Sequence, residues 1–227
     1  MRVWLEDWFI EEQGSKWRLH AKDREYALTL DLQSLTPPIP NGENGLSRKA
    51  STLGAASYYY SIPRMSAQGT LTRNGKPLAV KGLAWLDREW GSGALGVEQQ
   101  GWDWFALQLQ DGSALMFYSL RNRDGSRDAN SAGTWIAPDG SARRLSHEDV
   151  QIKPVDIWTS PRGGSYPARW KLTIPSLTLD VDIRPVLADQ ELNTSTRYWE
   201  GAVDVAGTRE TKPLTGRGYV ELVGYAR

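Results

Sequence analysis

The chain has 227 residues, 40% of them hydrophobic and 24% charged, enough for one large domain or two smaller ones with sizeable cores. Lys and Arg together number 27 and so do Asp and Glu, which leaves no basic field for a phosphate backbone or an anionic membrane surface. The absence of Cys excludes disulfides, thiolate metal sites and a Cys nucleophile, and 2 His give a His-rich metal site or a Ser-His-Asp triad little to draw on. No apolar run approaches the ~18 residues of a spanning helix. The opening MRVWLEDWFIEE carries acids within its apolar run, so it reads as the middle of a strand rather than a signal peptide.

In chain order, residues 3–10 read as a strand, as do 16–23 (KWRLHAKD) and 26–32 (YALTLDL). In the last of these Tyr26, Leu28, Leu30 and Leu32 alternate with Ala27, Thr29 and Asp31, the period of two that a half-buried strand shows. Residues 36–49, TPPIPNGENGLSRK, read as a surface loop whose length also invites a gating role. SYYYSIPRM is a further strand that Pro63 should end or confine to an edge. Asn74-Gly75 then separates QGTLTR from PLAVKGLAWLDREW, a strong hairpin signal. The same grammar returns at Asp111-Gly112 and Asp139-Gly140, and the last third adds four more strand-like runs. No stretch of about 11 residues carries a helical apolar stripe, so the expectation is an all-β chain of antiparallel sheets or barrels.

The stretch Val80–Trp104 holds Trp85, Trp90, Trp102 and Trp104 among Asp87, Arg88, Glu89 and Asp103. As a strand, WLDREW puts Trp85, Asp87 and Glu89 on one face and Leu86, Arg88 and Trp90 on the other. Two carboxylates about 7 Å apart beside Trp can have their pKa values split and act as an acid/base pair. The plainer alternative is that Asp87, Arg88 and Glu89 form salt bridges at a joint. Trp102 and Trp104 share a face that points either into a pocket or into a filled core, with Asp103 opposite and free to pair with Arg121 or Arg123. Glu221 is expected to pair with Arg217. Nothing in the sequence calls for a metal or another cofactor.

WLDREWGSG, GWDWFALQLQDGSALMFYSLRNRDG, YPARWKL, YWEGAVDVAG and GYVELVGY, in that order, resemble the AttH/CrtC family, which includes the carotenoid 1,2-hydratases. The resemblance implies two consecutive lipocalin/calycin-like antiparallel β-barrels. Residues 1–92 would be the C-terminal part of the first and 93–227 the second. The family's early EWWY-type block has no match, so the first barrel is expected to be incomplete. The resemblance further implies a hydrophobic ligand, lipid or isoprenoid-like, handled beside ABC transporter components in the periplasm or outside the cell. Its alternative implication is acid-catalysed addition of water to an isoprenoid C=C. For that chemistry it marks Asp87, Arg88, Trp90 and Tyr118 as catalytic positions; the Trp-rich faces themselves put Trp85, Glu89, Trp102 and Trp104 forward as ligand-binding residues. Arg88 stands where the hydratases carry His, and Leu120 where they carry an acid. An Arg stays protonated to about pH 12 and is a poor general acid for carbon.

Overall fold

The computed structural model describes residues 1–91 and 95–226. Ser92 to Ala94, between WLDREW and GWDW, lie outside them. Strands dominate: β1 (Arg2–Leu5), β2 (Trp8–Gln13), β3 (Lys16–Asp23), β4 (Tyr26–Ser34), β5 (Ile39–Pro40), β6 (Leu46–Arg48), β7 (Ala56–Arg73) and β8 (Lys76–Trp90) come first. They are followed by β9 (Gln99–Leu109), β10 (Ala114–Asn122), β11 (Ala132–Ile136), β12 (Ala142–Ser146) and β13 (Gln151–Thr159). The last are β14 (Ser165–Ile174), β15 (Leu179–Pro185), β16 (Glu191–Asn193), β17 (Arg197–Arg209) and β18 (Lys212–Val223). One sheet runs β1-β2-β3-β4-β7 with β8 also on β7; the other runs β12-β11-β10-β9-β18-β17-β15-β14-β13 with β16 on β17. Both are antiparallel and curl into half-barrels. Among the described residues no helix is long and apolar enough to cross a membrane.

The chain divides into two compact units, one of Met1–Ile39 with Tyr60–Arg88, the other of Pro40–Tyr59 with Glu89–Arg227. In the first, register and alternation agree. Trp17 faces Leu32, which faces Ala67, and this apolar row joins Ile62 and Met65 in the core. The next row, Glu11, Arg18, Asp31 and Gln68, is polar and falls on the other face. In the second unit Phe105, Leu107 and Leu109 of β9 point into a core filled by Trp170, Trp199, Leu172, Val181, Val203, Val220 and Leu222. Phe105 meets Trp170 edge-on at 5.7 Å, and Trp170 tilts against Trp199 at 6.2 Å.

The turns follow the residues that make them. Asn74 and Gly75 have φ of 50° and 73°, the pair of positive values that a two-residue hairpin of this twist requires. Asp111-Gly112-Ser113, Asp124-Gly125-Ser126 and Asp139-Gly140-Ser141 form a recurring device. Each Ser donates its backbone N–H to the preceding Asp Oδ1, at 3.0, 2.8 and 2.9 Å, while Gly takes the positive φ.

Several expectations change. The strand expected over 3–10 is two strands, turned at Glu6, whose φ is 55°. Pro63 does not end its strand: β7 runs through it, past the Ser34–Met65 pair where its ladder to β4 stops. The strand β13 was not foreseen. Its pairing with β14 shifts register after Pro154 and it lies at a sheet edge, where Pro is tolerated. The loop read as surface contains buried Ile39, Asn41 and Ser47, and from Pro40 on it belongs to the second unit.

Candidate active site

Strand β10 is buried on both faces. Leu115 and Phe117 enter the core, whereas Met116, Tyr118 and Leu120 face the other way and are covered nonetheless. Part of that cover is the arm Pro40–Tyr59. Asn41 Oδ1 accepts from Thr134 Oγ1 at 2.8 Å, and Ser47 Oγ shares a 2.8 Å hydrogen bond with the Tyr118 hydroxyl. The Tyr59 hydroxyl accepts from Trp104 Nε1 at 3.0 Å. These bonds satisfy polar groups that burial would otherwise penalise by about 1–3 kcal/mol each.

Lys49 sits at the centre of this arrangement. Its Nζ lies 4.0 Å from the Tyr118 ring centroid and 5.2 Å from that of Tyr59, and it forms a 2.8 Å ion pair with Glu89. Gln99 donates to the Lys49 carbonyl at 2.7 Å, and Ser57 donates to Glu89. The Tyr118 ring is 4% exposed, the Lys49 side chain 16% and the Glu89 side chain 40%, so the cluster grades from sealed to open. Burial pushes the Tyr118 phenol up and the Glu89 charge adds to that, against the Ser47 hydrogen bond and the Arg144 charge. Tyr118 is therefore a neutral phenol at neutral pH, able to give a proton.

The expected site residues are distributed as follows. Glu89 and Tyr118 meet at Lys49, and Trp104 is registered opposite Tyr118. Trp90 stacks on Tyr58 at 5.8 Å. Trp102 donates to Glu221 at 2.6 Å and meets Tyr198 edge-on at 6.5 Å. Trp102 and Trp104 face neither a pocket inside the core nor the core itself, because Asp103 and Phe105 take the inward positions on β9. In the first unit, Asp87 accepts from buried Ser61 at 2.5 Å, the Trp85 indole N–H is buried with no hydrogen-bond partner, and exposed Arg88 lies against Met1 Sδ. The Glu221–Arg217 pair does not form: Arg217 reaches Asp204 at 3.7 Å. Lys49, Ser47, Ser57 and Tyr59 were missed, since no spacing in the sequence marks the arm that carries them.

Two other polar clusters read as structural. Asp103 pairs with Arg121, as the sequence allowed, and accepts from the Tyr225 hydroxyl at 2.9 and 3.0 Å. Glu191 has a wholly buried side chain that accepts from Tyr166 at 2.7 Å, Ser160 at 2.7 Å and Arg162 at 2.6 Å. Burial pushes the Glu191 carboxyl up, but these three donors outweigh it and hold it below the usual range. Such a lowered group stabilises the fold above the ordinary carboxylate pKa and loses that contribution as pH falls through its folded value. Glu191→Gln should therefore show a deficit in urea midpoint at about pH 7 that closes towards about pH 3. An equal deficit at both pH values would contradict the assignment.

Among the described residues no group of three His, Asp or Glu converges as metal ligands would. The first unit opens a cavity of about 980 Å³ over the polar row of Glu11, Arg18, Asp31 and Gln68. Charged Glu11, Lys16, Arg18 and Asp31 share its lining with apolar Trp17, Leu32 and Leu83.

A family model described as AttH-like matches residues 1–225. The chain belongs to the AttH-like family. This AttH-like protein is 36% identical to an AttH protein of Nitrosomonas europaea of known crystal structure, with a TM-score of 0.91 over 99% of this chain and 70% of that one. That likeness gives the lipocalin-like fold the sequence led one to expect. Kievitone hydratase of Fusarium solani subsp. phaseoli is 24% identical over 216 residues, 92% of this chain. The dehydratase asqC of Emericella nidulans is 26% identical over 234 residues, 91% of this chain. This AttH-like protein spans 60% of the length of each of these two curated relatives.

Proposed function

We propose that this protein adds or removes water across a carbon–carbon double bond of a hydrophobic substrate, with Glu89 and Tyr118 as the proton-exchanging pair. The observation that carries the reading is the Glu89–Lys49–Tyr118 cluster, in which a half-open carboxylate and a buried neutral phenol share one cation. A hydratase and a dehydratase among the relatives support the reaction class. In the dehydration direction Glu89 takes a proton from carbon, and that C–H electron pair becomes the new C=C bond. The C–O pair leaves with the hydroxyl, which Tyr118 protonates to water. The proton then returns from Glu89 to Tyr118 through solvent, and hydration is the reverse. Ser47 and, at 3.5 Å, the Arg48 carbonyl occupy the phenol oxygen in this state, so the end of the arm has to yield before a substrate hydroxyl can reach it. This is the gating role that the length of the loop suggested. The substrate class that fits best is isoprenoid-like, as in a carotenoid 1,2-hydratase.

A second reading is binding without chemistry: a periplasmic carrier of lipid or isoprenoid working with an ABC transport system. The higher identity to AttH, 36% against 24% and 26% for the hydratase and the dehydratase, favours it. One experiment separates the two. The protein is incubated in H₂¹⁸O with lycopene, neurosporene and prenylated phenols, and with their hydrated forms, and the products are weighed by mass spectrometry. The proposal expects gain or loss of one water, with ¹⁸O in the alcohol, and a fall of about 10²–10⁴-fold in Tyr118→Phe. A shift of tryptophan fluorescence with the same compounds and no exchange of water would favour the carrier.

A further inference from the structure

We infer that Lys49 is the positioning residue of this site, its ammonium holding Glu89 in place and stabilising the Tyr118 phenolate once the phenol has given up its proton. The inference rests on the hydration/dehydration reading for its catalytic meaning, but the electrostatic coupling stands on geometry alone. Lys49 leaves β6 at the point where the arm bends over β10, and one ammonium meets two partners there. The carboxylate of Glu89 is 2.8 Å from Nζ, and the Tyr118 ring face is centred 4.0 Å from it. A cation at that distance from an aromatic face is attracted to the ring even when the phenol is neutral, and more strongly once the ring carries charge.

The other charged groups that bear on Tyr118 are Glu89, which opposes phenolate formation, and Arg144 of β12, which favours it. Lys49 is the charge seated on the ring itself. It reaches Tyr118 from an element other than the strand that carries Arg88. Arg88 is exposed and lies against Met1 Sδ in the first unit. A Lys here also differs in kind from an Arg, since its compact ammonium concentrates charge on one atom that two partners can share.

The test follows ionisation of Tyr118 by NMR of ¹³Cζ-tyrosine, assigned with Tyr118→Phe, in the full chain and its variants. Lys49→Gln should raise the titration of Tyr118 by about one pH unit or more, and Lys49→Arg should restore most of the shift. Lys49→Met, which keeps the packing of the stem, serves if the Gln variant does not fold. Unchanged Tyr118 titration in folded Lys49→Gln or Lys49→Met overturns the inference, whatever the activity. If the titration moves but no substrate gains or loses water, the coupling stands and the hydration reading falls. If water is exchanged, Lys49→Gln should move the pH profile of kcat/KM by the same amount as the titration. A profile that stays in place while the titration moves would overturn the catalytic part of the inference.

Discussion

Replacing Arg121 with Met should lower the unfolding free energy by about 3–5 kcal/mol, the cost of removing one partner of a buried ion pair. Asp103 is 7% exposed and relies on Arg121 and the Tyr225 hydroxyl. Burial already pushes the Asp103 carboxyl above its usual range despite those partners. Without the guanidinium the carboxylate stays desolvated with one donor fewer. Arg121 also donates to the Val223 carbonyl at 2.7 Å and covers the Tyr225 ring at 3.7 Å, so the C-terminal segment loosens with it. The sign of the pH dependence follows from the loss of the Arg121 charge, which opposes burial and favours the Asp103 carboxylate. Its removal raises that folded pKa further, so the deficit is full while Asp103 is ionised and should shrink as pH falls and the carboxyl protonates. Urea unfolding at several pH values measures both. A loss below about 1 kcal/mol, or one that ignores pH, would show that the pair is exposed to solvent after all.

Glu89→Gln should cost about 10²–10⁴-fold in turnover while leaving the melting temperature nearly unchanged. The two expectations come from one geometry. Glu89 is 40% exposed, and an ion pair open to solvent on one side contributes only about 0–1 kcal/mol to stability. The amide keeps the size of the carboxylate and still accepts from Ser57, but it cannot take a proton from carbon. Turnover that survives the change would remove Glu89 from the mechanism. A fall in turnover matched by a fall in melting temperature would make the residue structural.

Local patterning carried the fold a long way. Period-two alternation in YALTLDL assigned a strand and the residues that share each of its faces, since successive side chains of a strand must point to opposite sides. Asn74-Gly75 announced its hairpin because few other residue pairs accept two positive φ values. The pairing of Asp103 with Arg121 was legible because a tight turn at Asp111-Gly112 sets β9 against β10 in register. By contrast β13 was invisible, its Pro and mixed polarity being tolerable only because it sits at an edge. The direction faced by Trp102 and Trp104 was undecided for a related reason. Alternation says which residues share a face, but not which face is buried.

The sequence alone therefore determined the class of fold and the main hairpins, because these follow from contacts between near neighbours in the chain. Only the tertiary structure brought Lys49 to Tyr118, 69 residues apart, and put Asp87 and Glu89 of one strand in different units. The stretch 36–49 has the composition of a surface loop, and composition does not report what a polar segment is laid against. Asn41, Ser47 and Tyr59 of the arm are buried because they find partners on β11, β10 and β9, and those partners come together only in the second sheet.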